Sequence, residues 1–82
     1  MPDDLRAALR ARQLPDDEVG LRLLLEAHVA GYDLHRLTPA AAKRWKTRYR
    51  LMIGAGYYDG ASPAEVYARA LLAVSPPTAP SD

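Results

Sequence analysis

Four prolines punctuate this chain where helix-forming runs begin: Pro2 in MPDDLRAAL, Pro15 in LPDDEVGLRLLL, Pro39 in TPAAAKRW and Pro63 in SPAEVYARALL. Proline suits the first turn of a helix, where its fixed φ is already helical and its missing N–H would bond nothing. Further inside a helix it is costly, so each proline marks a start rather than a middle. Thr38 and Ser62 stand where N-caps belong, and Ser62 with Glu65 has the spacing of a capping box. Asp3, Asp4, Asp16 and Asp17 put negative charge at helix starts, where the macrodipole favours it. No segment is read as alternating apolar and polar residues over a strand length. The expectation is an all-α domain over residues 1–74, a compact bundle of four short helices near 3–13, 15–30, 39–53 and 63–74. A flexible Pro-rich tail at 75–82 follows it.

In the second predicted helix, Val19, Leu21, Leu23, Leu24, Leu25, Ala27 and Val29 occupy nearly the whole circumference, leaving a narrow polar wedge at Arg22 and Glu26. A helix apolar all round is expected to be buried on most sides, which makes this one the core helix. Three neighbours in a chain of 82 residues scarcely cover it, so a homodimer contact is favoured. The chain has no cysteine, so packing rather than disulfides or thiolate metal sites must hold it together. Two joins resemble each other: AGYDLHRLTPAA and AGYYDGASPAE both run Ala-Gly-Tyr, a polar loop, then Ser/Thr-Pro-Ala. The helices after them share little, so the likeness reads as one local solution used twice. Gly31 and Gly56 would take the left-handed conformation past a helix end, with Tyr32 and Tyr57 folding back on it.

Charge is spread unevenly. Residues 1–31 carry four Arg against six acidic groups, and residues 55–82 one Arg against three. Residues 32–54 carry six Lys and Arg against a single Asp, and no acidic residue occurs between Leu34 and Tyr58. A net charge of +1 therefore hides a basic centre between acidic ends. On a helical wheel Ala42, Trp45, Tyr49, Met52 and Ile53 share one side, and the cations spread round the remainder. That assigns Trp45 and Tyr49 to the core. Arg48 and Arg50 near the helix C-terminus are explained by the dipole; Lys43 and Arg44 in its first turns are opposed by it. A face selected for solubility mixes signs, whereas a face that meets phosphate or an acidic protein surface does not.

Catalytic and metal signatures are weak. His28, His35 and Asp33 could be imagined as metal ligands, but His28 projects among Leu21, Leu24 and Leu25 and reads as a structural, half-buried histidine. GAGYYDG fails the spacing of a phosphate-binding glycine loop, with Asp59 where the third glycine belongs. Ser62 reads as a cap and Ser75 as a tail residue, and no nucleophile–base pair suggests itself. The chain is therefore expected to be a non-enzyme needing no cofactor or metal. No apolar run approaches the roughly 20 residues of a membrane span, and MPDDLRAALR is unlike a signal peptide, so a cytoplasmic location is expected.

The leading functional expectation is an accessory nucleic-acid-binding protein, DNA before RNA, that uses the exposed side of a basic helix at 39–53. Lys43, Arg44, Lys46, Arg48 and Arg50 would meet phosphates, Arg36 would extend the patch, and Thr47 could approach a base edge. The alternative is a protein-interaction or dimerisation module that regulates a larger enzyme without touching nucleic acid. There the basic face would meet an acidic protein, with Leu51 and Leu72 as exposed apolar contacts.

Overall fold

The computed structural model describes residues 1–74, so the expected tail at 75–82 lies outside the described residues. The chain runs α1 (Asp3–Ala11), α2 (Glu18–His28), β1 (Asp33–Arg36), α3 (Pro39–Trp45), β2 (Tyr49–Ile53), β3 (Gly56–Gly60) and α4 (Pro63–Val74). The three strands form one antiparallel sheet in the order β1-β2-β3. The fold is thus α+β, which corrects the expected all-α bundle. The proline and capping logic nevertheless finds real helix starts. Thr38 caps α3, its Oγ1 accepting the Ala41 N–H at 3.2 Å, and Pro39 follows at the first helical position. Ser62 Oγ accepts the Glu65 N–H at 3.3 Å at the head of α4. Pro15 is displaced, because Asp17 takes the cap of α2 by accepting the Gly20 N–H at 2.8 Å.

The largest departure falls within the expected helix 39–53. Helical structure stops at Trp45, and Lys46 closes it in the left-handed conformation, with φ 56°. From Tyr49 the chain is a strand. Period two is present there, with Arg50 and Met52 on one face and Leu51 on the other, but apolar Met52 on the outer face disguises it. β-Branched and aromatic residues suit this extended stretch. The hairpin then turns through Gly54 and Ala55, and Gly54, at φ 57°, supplies the positive φ that a two-residue turn requires. Neither Gly31 nor Gly56 has a positive φ, so the expected left-handed helix ends at those glycines are not formed. Instead, each Ala-Gly-Tyr leads into a strand, β1 or β3, and each Ser/Thr-Pro-Ala opens the helix after it.

The core helix is α4, not α2. Val66, Ala68, Ala70 and Leu71 are fully inaccessible and Tyr67 nearly so, because α4 packs against α2 and α1 on one side and β2 and β3 on the other. Leu51 contributes the centre of the sheet's inner face, flanked across the strands by Leu34 and Tyr58. α2 buries only Leu21 and Leu25, while Val19 and Leu23 are 54% and 56% exposed. Its expected near-complete burial fails because a single helix neighbour covers one stripe, as the amphipathic rule describes. Leu5 and Leu9 of α1 complete the core. Among the described residues no helix is long and apolar enough to cross a membrane.

Candidate nucleic-acid interface

α3 is weakly embedded: none of its seven residues is buried, and its residues line two clefts. The first cleft, of about 720 Å³, is lined by Lys43, Trp45, Lys46, Arg48 and Asp59 among others. The second, of about 660 Å³, lies between Arg36, Thr38, Tyr49 and Ser62, and Arg48 borders both. Trp45, the last residue of α3, carries the Arg44 guanidinium 5.3 Å from its ring centroid and the Arg50 guanidinium at 5.6 Å. Tertiary structure therefore gathers all six cations of the basic segment around Trp45 and the two clefts, although they come from three different elements and a loop. Among the described residues, Lys43, Arg44, Lys46, Arg48 and Arg36 form no ion pair with a carboxylate.

Arg50 is different. It lies on the outer face of β2 and grips Asp59 of β3 with Nε to Oδ1 at 2.8 Å and Nη2 to Oδ2 at 3.0 Å. The same guanidinium sits 4.3 Å from the Tyr57 ring centroid. The bond to Asp59 raises the Arg50 pKa still further above its ordinary value, so the cation is permanent. The two carboxylates bordering the first cleft are both engaged: Asp59 by Arg50, and Glu65 by Arg69 at 3.0 Å and by the Ala61 N–H at 3.3 Å. Neither is free to cancel the exposed cations.

Other expected site residues take different roles. Thr47 is half-buried, and its hydroxyl lies 3.0 Å from the Gly60 carbonyl and 3.2 Å from that of Tyr49. That side chain ties the start of β2 to the end of β3 and is not presented to a base edge. Leu51 is fully buried beneath the sheet, and Leu72 is partly buried against the core, so neither is a free apolar contact. The expected core position of Trp45 is also corrected: it is 53% exposed, while Tyr49 does pack against the core. The wheel assumed that one helix ran from 39 to 53, and the reversal at Lys46 breaks its phase. His28 is exposed on α2 with Nδ1 2.8 Å from the Leu24 carbonyl, not half-buried. Among the described residues no three potential ligand side chains gather into a metal site.

What sequence reasoning missed is the outer face of the sheet. Cross-strand partners share a face, so Asp33, Met52 and Tyr57 form one outer row, and His35, Arg50 and Asp59 the next. Met52 and Tyr57 are 41% and 57% exposed. The signal was there in YRLMI and GYYDG, two five-residue runs on either side of a Gly-Ala turn. No known protein family, curated protein or solved structure matches this chain.

Proposed function

We propose that the protein binds nucleic acid through the surface that α3, the start of β2 and the end of β1 share. The observation that carries this reading is the gathering of Lys43, Lys46, Arg48 and Arg36 around two open clefts, with Arg44 beside them over Trp45 and no carboxylate paired to any of the five among the described residues. Unpaired cations on a short exposed helix contribute little to folding, and repel one another unless an anion neutralises them. Lys46 adds weight: a lysine holds a left-handed position where glycine would be unstrained. If four or five phosphates are contacted, the logarithm of affinity falls with log salt at a slope of about −4. Titrating a labelled oligonucleotide into wild type and a Lys43→Glu/Arg44→Glu variant across a salt series tests this. Binding that the variant loses supports the proposal; a slope near zero, or equal affinity for both proteins, defeats it.

One observation favours a second reading, a protein-interaction module. Val19 and Leu23, four residues apart, form an exposed apolar pair on the outer side of α2. Sedimentation of wild type against Leu23→Glu decides it: a dimer that the variant disperses would support self-association, and a wild-type monomer would remove it.

A further inference from the structure

The outer face of the sheet carries a feature that phosphate binding does not explain. Of the five large hydrophobic side chains that are exposed among the described residues, Trp45, Met52 and Tyr57 lie on this face or at its edge. Arg50 lies between the two rings, 5.6 Å from Trp45 and 4.3 Å from Tyr57, and its bidentate hold on Asp59 fixes the guanidinium. The result is a cluster of two rings held to one guanidinium, and its member Trp45 also lines the first cleft, where Lys43, Lys46 and Arg48 stand unpaired among the described residues. Exposing rings costs free energy in a small chain with a small core, and folding does not require it here, since Leu34, Leu51 and Tyr58 already fill the inner face.

We infer that this face is a stacking platform for unpaired bases, so that the protein takes single-stranded rather than duplex nucleic acid. The inference rests on the reading that the basic surface binds nucleic acid, and deepens it by naming the substrate class. In a duplex the base faces are hidden against one another, and the backbone would engage only the cations. A strand with unstacked bases matches both halves of the surface: phosphates meet Lys43, Lys46 and Arg48, and bases lie on the faces of Trp45 and Tyr57 that Arg50 leaves open. Arg50 touches both rings, which keeps them within reach of neighbouring nucleotides on one strand.

Trp45 is the chain's one tryptophan, so its fluorescence reports on the platform directly. The experiment follows Trp45 quenching in wild type, and fluorescence anisotropy of a labelled short oligothymidylate, and separately of a labelled mixed-sequence hairpin duplex of equal charge, with wild type, Trp45→Ala/Tyr57→Ala and Trp45→Phe. The expected result is saturable quenching of Trp45 by the single strand and a preference for it over the duplex. The double alanine variant should lose single-strand affinity by about tenfold or more while its duplex affinity stays within about twofold, and Trp45→Phe should retain most of it. Circular dichroism and melting of each variant separate lost stacking from lost fold, and a variant that melts early is replaced by Tyr57→Ala alone. Equal affinity for both forms, with no quenching and no response to the aromatic variants, would overturn the platform while leaving the charge reading in place. No binding of either form by wild type at low salt would overturn both.

Discussion

Arg50 and Asp59 face each other across β2 and β3, joined by two hydrogen bonds of 2.8 and 3.0 Å on the outer side of the sheet. This pairing decides the character of the basic segment. It neutralises one cation of the segment and holds that guanidinium against the rings of Trp45 and Tyr57. The remaining cations keep their charge exposed. Exposed cations and a cation engaged by a carboxylate and two rings thus occur within one run of eight residues from Lys43 to Arg50.

Asp59→Ala should separate them experimentally. Stability falls modestly, because a cross-strand opposite-charge pair is lost. The freed Arg50 becomes available to a phosphate, so the salt dependence of binding steepens by about one unit. Preference for single strands over duplex should shrink at the same time, since the guanidinium plane is no longer held. Urea melts and paired salt titrations provide both readouts.

Lys46→Gly should trade function against stability. Lys46 sits at φ 56° and ψ 38°, the left-handed region that glycine enters without strain. Relieving it should stabilise the fold by about 0.5–1 kcal/mol, after allowing for the extra freedom of glycine in the unfolded chain. The same change removes a cation from the first cleft, and the salt slope of binding should become shallower by about one unit. A variant that melts higher and binds more weakly meets the expectation, whereas one that binds unchanged removes Lys46 from the interface.

Gly60→Ala should be harmful for packing reasons alone. Gly60 is buried where β3 meets the first turn of α4, and an added Cβ would lie 3.0 Å from both Glu65 Cγ and Val66 Cγ1. Overpacking of this kind costs about 1–3 kcal/mol. The Gly60 carbonyl also receives the Arg48 N–H at 3.3 Å and lies 3.0 Å from the Thr47 hydroxyl, so a shift there loosens the start of β2. Against a total stability of about 4–12 kcal/mol for a chain of this size, chemical denaturation should register the loss clearly.

Tyr32 should make the fold sensitive to alkali. Partial burial first, and then the hydrogen bond that its hydroxyl donates to Glu26 at 2.7 Å, hold the phenol neutral and raise its pKa well above the ordinary 10.0. Its ring also meets Tyr67 edge-on at 5.9 Å. Because the folded pKa is the higher one, this contribution is fully present below about pH 10 and is lost as pH rises through the folded value. Denaturation midpoints of wild type and Tyr32→Phe should converge as pH climbs above 10, wild type losing the more. Near-ultraviolet titration should show one late-ionising phenol that Tyr32→Phe abolishes.

Two local capping signals were legible because they were self-contained. Thr38-Pro39 and Ser62-Pro63 announce α3 and α4, because a cap acts within one turn and needs no distant partner. α4 was placed at 63–74, where it lies. The hairpin was not legible, for a reason particular to YRLMI: Met52 is apolar yet points outward, which makes a strand read like a helix with an apolar stripe. The candidate site suffered the same error. The basic residues were identified, but Trp45 was turned inward by a wheel that continued past the reversal at Lys46.

Sequence by itself determined where α3 and α4 start, the concentration of positive charge between residues 32 and 54, and the absence of a cysteine-based framework. Those properties are local or compositional, and neighbours cannot alter them. Tertiary structure decided the rest. It made Tyr49–Ile53 a strand by giving it partners on both edges, since an extended segment has no hydrogen bonds within itself and a central one takes them from its neighbours. It made α4 the core helix, because burial depends on what packs alongside and not on a helix's own apolar content. It also stood Trp45 and Tyr57 beside Arg50 on the open side of the sheet, a contact between α3, β3 and β2 that no one-dimensional pattern specifies.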